Sequence, residues 1–230
     1  MTAIEQGRLT GTLSRMPLFI LAGSHGSLHW ALAIFYVVLP FIKTEFGLNY
    51  TETGLLASIV HGSAFIANFP SGMIVDITGR RRACQIVATA LAAVGLMGVG
   101  WSTSYWMVAG FVSIVAMMNT LWHPAAISFL SASYAERRGL ALSFHTIGAS
   151  IGDAAAPVAA GLFIAAFGWN GATMAGAAVP LIASILLFFV FVAPQEPSAQ
   201  KPPSRGGTKL YLSGMRQLIS DAQVWKVLIM

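Results

Sequence analysis

The segment from Gly72 to Arg82, GMIVDITGRRR, places one carboxylate and three guanidinium groups between two of the most apolar stretches of the chain. Only 9% of the 230 residues are charged, whereas 56% are hydrophobic and the mean hydropathy is +0.72. Soluble domains carry about 25% charged residues. Such a concentration of charge in one short turn therefore indicates a loop between two membrane-spanning segments.

Six apolar runs are long enough to cross a bilayer, whose hydrocarbon core of ~30 Å takes about 20 helical residues. Their length and glycine content favour helices over strands. The sequence therefore predicts an all-α integral membrane protein with a six-helix domain over residues 17–193. The predicted spans are residues 17–41, 53–75, 83–101, 105–131, 139–166 and 170–193.

The remaining segments have compositions that differ from the spans. Residues 1–16 precede the first span, and residues 194–208 are rich in Pro, Ser and Gly, which is typical of a linker. Residues 209–222 place apolar side chains at near-helical spacing, which fits either an interfacial amphipathic helix or an ordinary loop helix. Residues 223–230 begin another apolar run, which we interpret as the start of a truncated seventh span.

The distribution of basic residues predicts the orientation. Of the 13 Lys and Arg residues, only Lys43 lies on the outer side when the N-terminus is placed in the cytoplasm. Positive charge accumulates in cytoplasmic loops, so this asymmetry predicts that residues 1–16 and the linker are cytoplasmic. We expect the membrane to be the inner (plasma) membrane of a bacterium. The net charge of +5 then reflects topology and contact with anionic lipid, and it does not indicate a nucleic-acid partner.

Glycine and aspartate in the charged turn call for a reason beyond topology. Gly72 would allow close approach of a neighbouring helix, and Gly79 suits a tight turn at positive φ. Asp76 is suited to face a helix N-terminus or an arginine, where a carboxylate is stabilised. With Arg80 and Arg81, these residues follow the spacing Gly-x-x-x-Asp-x-x-Gly-Arg-Arg between predicted spans 2 and 3.

These five residues resemble the signature loop of the major facilitator superfamily. The resemblance implies a transporter of two six-helix halves, in which the loop is a cytoplasmic latch that favours the outward-open state. The chain would be the first half. Its partners would be the lipid bilayer, a small-molecule or ion substrate and a second six-helix half, from the same gene or from a partner chain.

A second motif resembles the fosmidomycin-resistance-like branch of that superfamily. The branch pattern has a His-Pro in helix 4, an Arg-Gly turn and a glycine-rich helix 5 that ends before a proline. Ala156 replaces the usual glycine before that proline, and Asp153 is an unusual acid in the helix. The residues that match are His123-Pro124, Arg138-Gly139, Gly148, Gly152 and Pro157.

Ionisable side chains inside a membrane are costly, and each is therefore a candidate functional group. All five histidines fall in predicted spans. His25 and His29 share one face of helix 1, and Asn119 and His123 share one face of helix 4. In the family fold both helices line the central cavity, so these four residues are predicted to contact the substrate, with neutral packing hydrogen bonds as the alternative.

The other intramembrane ionisable groups are candidates for different roles. Asp153 is the one clearly intramembrane acid of the sequence, and a carboxylate at that depth can take up and release a proton. Asp153 and His145 are therefore the proton-coupling candidates, with helix packing as the alternative. For His145 and His61 packing is the favoured interpretation. The glycine pair Gly148 and Gly152 predicts close contact between helix 5 and a neighbour.

The leading functional hypothesis is a secondary transporter that exports a small solute in exchange for protons. The alternatives are transport of a divalent metal through a histidine-lined cavity, because imidazole is a common metal ligand, and a non-transporting half that assembles with a partner. A haem cytochrome with His25 and His123 as ligands would leave the Asp76 loop unexplained. Enzymatic activity and a cofactor are not predicted, and the single cysteine, Cys84, makes a thiolate metal site implausible.

Overall fold

A computed structural model of the chain describes residues 16–189 and positions 213, 214, 216, 217, 220 and 221. Over residues 16–189 it contains six α-helices, one short 3-10 helix at Ala135–Arg137 and no strand, which confirms the all-α fold class. The helices are α1 (Met16–Glu45), α2 (Tyr50–Thr78), α3 (Arg81–Trp101), α4 (Tyr105–Ser133), α5 (Arg138–Gly176) and α6 (Ala178–Phe189).

Four continuous helical stretches of the described residues are long and apolar enough to cross a bilayer: 16–45, 81–100, 105–133 and 135–189. The last contains Gly168 at φ 70° and ψ 177°, a non-helical conformation that lies in the predicted gap between residues 166 and 170. α2 is 29 residues long but more polar, and it is not among the four. The membrane-helical architecture is thus confirmed, and the number of six spans stays a prediction.

The predicted segments outside these helices can be compared only in part. Residues 1–15 and the linker lie outside the described residues. Positions 213, 214, 216, 217 and 220 are helical, whereas the rest of the predicted amphipathic segment, except position 221, and residues 223–230 are not described.

Local capping explains why α2 extends past the predicted span 53–75 at both ends. The Asn49 side chain accepts a hydrogen bond from the Glu52 amide at 2.9 Å, and the Glu52 carboxylate accepts from the Asn49 amide at 2.8 Å. This capping box satisfies two amide groups that a helix start leaves unpaired. At the other end Gly79 has φ 62° and donates its amide to the Val75 carbonyl, which confirms the predicted turn at positive φ.

Short turns connect α1, α2, α3 and α4, and these turns separate the basic residues into two ends of the helix bundle. Turns at 79–80 and 134–137 bring Arg80, Arg81, Arg82, Arg137 and Arg138 to one end. Lys43 is at the opposite end, where the Trp169 indole donates to the Glu45 carboxylate at 3.3 Å. We call these the arginine end and the Lys43 end.

α1 packs most extensively against α5, and glycines make the contact. A Cβ atom placed on Gly148 would lie 2.0 Å from the Ala22 carbonyl oxygen, and one on Gly152 would lie 2.1 Å from that of Gly26. Both distances are far below van der Waals contact, so only glycine fits. The predicted close packing of this glycine pair is confirmed, and the neighbour is α1. Pro157 lies within α5, and the non-helical residue of that helix is Gly168.

Two apolar clusters fill the interior. The cluster towards the arginine end contains Leu28 of α1 and Leu121 of α4, and the cluster towards the Lys43 end contains Ala31 and Ala116 of the same helices. Three of the histidines, His25, His123 and His145, lie where the two clusters meet, between α1, α4 and α5.

Candidate functional site

Three histidines from three helices meet at mid-depth. His25 of α1, His123 of α4 and His145 of α5 can each contribute one ring nitrogen such that the three atoms lie within 4.8 Å of one another. His25 and His145 are buried, with 3% and 7% of their surface exposed, and His123 is half-buried. We call these residues the histidine triad.

Main-chain carbonyls fix two of the triad rings. The Nδ1–H group of His25 donates to the His145 carbonyl at 2.7 Å, and that of His123 donates to the Asn119 carbonyl at 2.7 Å. The first bond crosses between α1 and α5, which the adjacent glycines bring close together. Since a carbonyl can only accept, both Nδ1 atoms carry hydrogen.

The opposite nitrogens of these two rings face each other. His25 Nε2 and His123 Nε2 are 3.1 Å apart. A neutral imidazole has one protonated nitrogen, so with both Nδ1 atoms protonated each Nε2 presents a lone pair. Two lone pairs at this distance repel unless a cation lies between them.

The third ring of the triad stacks on the first. The rings of His25 and His145 have centroids 3.8 Å apart and planes 15° apart. The buried Trp122 indole is parallel to both, with centroids at 5.0 Å from His25 and 5.4 Å from His145. Nδ1 of His145 is buried and has no hydrogen-bond partner among the described residues.

A separate ionisable pair lies one turn further along α1. Nδ1 of His29 is 3.0 Å from Oδ2 of Asp153 on α5. The exposed fractions of the two side chains are 27% and 56%. Asp153, which the sequence presents as an isolated acid, thus has an imidazole partner. We call this the His29–Asp153 pair.

The remaining predicted residues lie around these two groups. Asn119 is half-buried one turn from His123, and its Oδ1 atom is buried without a hydrogen-bond partner among the described residues. His61 is exposed on α2 and lies 3.3 Å from the Tyr36 hydroxyl, apart from the other four histidines. The structure therefore brings together His25, His29, His123, His145 and Asp153.

The residues of the predicted latch lie at the arginine end. Asp76 and Arg80 are exposed, whereas Arg81 is half-buried with a buried Nη1 atom that has no partner in the described part of the chain. Among the described residues Asp76 forms no hydrogen bond or ion pair. Its carboxylate is therefore accessible to a partner that is outside the described structure.

Arg82 has a role that the sequence did not reveal. Its guanidinium donates to the Leu187 carbonyl at 3.2 Å and to the Phe188 carbonyl. Arg82 thus connects the first turn of α3 to α6. The sequence signal for this contact is that the charged segment contains a third arginine beyond Arg80 and Arg81.

Comparison with known proteins identifies the family. Residues 21–230 match the model of the Major Facilitator Superfamily. The chain belongs to this superfamily. Together with the apolar helices, this membership makes it an integral membrane protein.

Two curated proteins are similar to this chain at low sequence identity. An uncharacterized MFS-type transporter of Bacillus subtilis, YfnC, is 23% identical over 179 residues, which is 77% of this chain and 42% of the relative. The membrane sensor protein UhpC of Escherichia coli is 26% identical over 157 residues, which is 66% of this chain and 35% of the relative. The chain thus spans less than half the length of the curated relatives it matches.

Proposed function

We propose that the chain is the N-terminal half of a secondary active transporter that exports a small solute by alternating access in exchange for protons. The observation that carries the proposal is the His29–Asp153 pair. Its nitrogen and oxygen are 3.0 Å apart, and both side chains are partly exposed.

Charged groups at mid-depth are expensive unless they are paired or reach a water-filled space. The pair can meet both conditions, because Nδ1 of His29 and Oδ2 of Asp153 are close enough to form a pair without net charge and 56% of the Asp153 side chain is exposed. Imidazole and carboxylate can each take up a proton and release it again, and protonation of Asp153 would remove its attraction for a charged His29. Proton binding can therefore change the contact between α1 and α5, which is the coupling that an exchanger needs.

The latch at the arginine end is part of the same proposal. Gly79 turns the chain tightly after α2, and Asp76 remains exposed and unpaired in the described structure. An exposed carboxylate of this kind can bind a helix N-terminus or a basic side chain of the second half. We assign Gly72, Asp76, Gly79, Arg80 and Arg81 to this conformational role.

The experiment compares two aspartate variants in the full-length gene product. A resistance screen in overexpressing cells first selects a transported compound, with fosmidomycin as the first probe. Purified protein is then reconstituted in liposomes, and transport of that compound is measured with and without a pH gradient. We expect Asp153→Asn to lose the acceleration by the gradient, because the amide cannot exchange a proton.

Asp76→Asn is the matched variant in the same assay. We expect it to transport more slowly while it still responds to the gradient, because it removes the latch contact and leaves the His29–Asp153 pair intact. Unchanged gradient dependence in Asp153→Asn would contradict the assignment of the proton site. Normal transport by Asp76→Asn would contradict the latch.

Three finer assignments rest on the sequence motifs and relatives. The His123-Pro124 and glycine pattern supports the fosmidomycin-resistance-like branch and hence export. The five arginines at one end support a cytoplasmic arginine end. The same charge distribution supports a cytoplasmic N-terminus. The bacterial relatives support a bacterial inner (plasma) membrane.

A membrane receptor that binds a solute without transporting it is a second candidate. The match to the membrane sensor protein UhpC favours it. The liposome assay separates the two candidates, since a receptor would bind the probe but give no gradient-driven flux.

A further inference from the structure

We propose that the histidine triad binds one transition-metal ion with the preferences of Zn²⁺, and that this ion ties α1, α4 and α5 together. The proposal is independent of solute transport and concerns a group that the coupling mechanism does not use. It starts from the facing lone pairs of His25 and His123, whose Nε2 atoms are 3.1 Å apart.

The surroundings of these two rings match those of metal-ligating histidines. A ligating imidazole almost always donates its other N–H group to a carbonyl, carboxylate or water, which fixes the tautomer and directs the free nitrogen. His25 and His123 both show this arrangement, with main-chain carbonyls at 2.7 Å. A zinc–nitrogen distance of about 2.0–2.1 Å in tetrahedral geometry separates two ligand atoms by roughly 3.3 Å, close to the observed separation.

His145 supplies the third ligand. Its Nδ1 atom is buried without a hydrogen-bond partner in the described part of the chain, so a lone pair or an N–H group is left unsatisfied there. The ring is stacked on His25 with 15° between the planes, so the in-plane lone pairs of the two rings run nearly parallel. Ion binding therefore requires the His145 ring to turn out of the stack, whereas His25 and His123 already face each other.

The chemistry of the ligand set selects the class of ion. Three neutral imidazoles suit Zn²⁺, Cu²⁺, Ni²⁺ or Co²⁺ and do not suit Mg²⁺ or Ca²⁺, which prefer oxygen ligands. Burial selects the role. Because His25 and His145 are 97% and 93% covered, an ion here is enclosed between helices and does not line an open path. This favours a resident ion over transported cargo.

The test uses full-length protein purified through an affinity tag without histidines and stripped with a chelator. Zn²⁺ is titrated into it and followed by calorimetry, and Cu²⁺ is added to a second sample so that electron paramagnetic resonance counts the nitrogen ligands. We expect one tight ion per chain with three nitrogen ligands. His123→Ala and His145→Ala should each weaken Zn²⁺ binding at least about 10-fold. Removing a residue that only hydrogen-bonds to a metal ligand already lowers metal affinity by about 10-fold or more, and removing the ligand itself should cost no less.

His61→Ala is the matched control, because His61 lies on α2 away from the triad, and it should bind Zn²⁺ like the wild type. His145→Gln accompanies His145→Ala so that a folding defect, seen by size-exclusion chromatography, is not mistaken for ligand loss. Failure of the wild type to bind Zn²⁺, as expected if a shared proton lies between His25 and His123, would overturn the proposal. Equal loss in His61→Ala would overturn it as well.

The Zn²⁺-binding experiment and the transport experiment give independent results. Zn²⁺ binding is measured without solute or gradient, and Asp153→Asn should retain it while losing proton coupling. Either proposal can therefore fail without the other.

Discussion

His25 and His29 lie one helical turn apart on α1, yet their surroundings differ. His25 is buried, stacks on another imidazole and donates to a main-chain carbonyl of α5. His29 is partly exposed and contacts a carboxylate. The difference arises from the backbone contact between α1 and α5, where Gly26 and Gly148 exclude solvent around position 25. One residue type thus occupies two different environments, because helix packing changes over a single turn.

The two environments favour different cations. At the histidine triad, the Nε2 atoms of His25 and His123 face each other and two of the three rings are buried. A metal ion would be held there by three ligands once the His145 ring turns towards it. At the His29–Asp153 pair, 56% of the Asp153 side chain is exposed, and the proposed proton exchange requires that this exposed surface meets water. Three sets of variants test this difference. The first disturbs the contact between α1 and α5, the second removes His25 or His29 separately, and the third measures the interaction between His29 and Asp153.

The largest effect is expected from Gly148→Ala. The added Cβ atom would lie 2.0 Å from the Ala22 carbonyl oxygen. That oxygen belongs to the main chain of α1 and cannot rotate away as a side chain could. The helices must separate, which we expect to cost about 3 kcal/mol or more, the upper end of the usual cost of overpacking, and to lengthen the bond from His25 to the His145 carbonyl. The check is the thermal unfolding temperature of the purified protein in detergent.

Gly161→Ala on the same helix is the matched control. A Cβ atom there meets nothing within 4 Å, so the change should leave stability equal or raise it by up to about 1 kcal/mol through helix propensity. Equal unfolding temperatures for the two variants would show that the α1–α5 contact does not hold the histidine triad together.

The sequence predicted the glycine-dependent turns and helix contacts better than the contacts of the ionisable side chains. Gly79 and the Gly148–Gly152 pair were predicted because backbone conformation and close helix approach leave a local signature. The break near Gly168 was predicted because apolar runs have a limited length. All of these depend on a few neighbouring residues.

The partners of His145 and Asp153 could not be predicted in the same way. They depend on the rotation and relative height of α5 against α1, which are set by close backbone contacts at Gly26 and Gly148. Sequence spacing gives the face of one helix but not this register between helices. For the same reason the contacts of His145, a proton-coupling candidate for which packing is the favoured interpretation, could not be predicted, and the link from Arg82 to α6 was not predicted at all.

An intermediate effect is expected when the two histidines of α1 are removed separately. His25→Ala would leave a cavity beside Trp122 and a buried His145 carbonyl without its donor, which we expect to cost about 2–3 kcal/mol. His29→Ala removes a partly exposed ring and should cost less than about 1 kcal/mol. The measurement is the unfolding free energy in detergent for each variant. Equal losses would mean that the two positions are equally buried in the working protein.

The smallest effect is expected for the direct link between His29 and Asp153. A double-mutant cycle of His29→Ala and Asp153→Ala should give a coupling free energy of about 0.2–1 kcal/mol, because exposed ion pairs gain little in a medium of high dielectric constant. The coupling should fall as salt rises, since ions screen exposed charges. A coupling of several kcal/mol that salt does not change would place the pair in a closed, dry environment. That result would remove the solvent access on which the proton-exchange role of Asp153 depends.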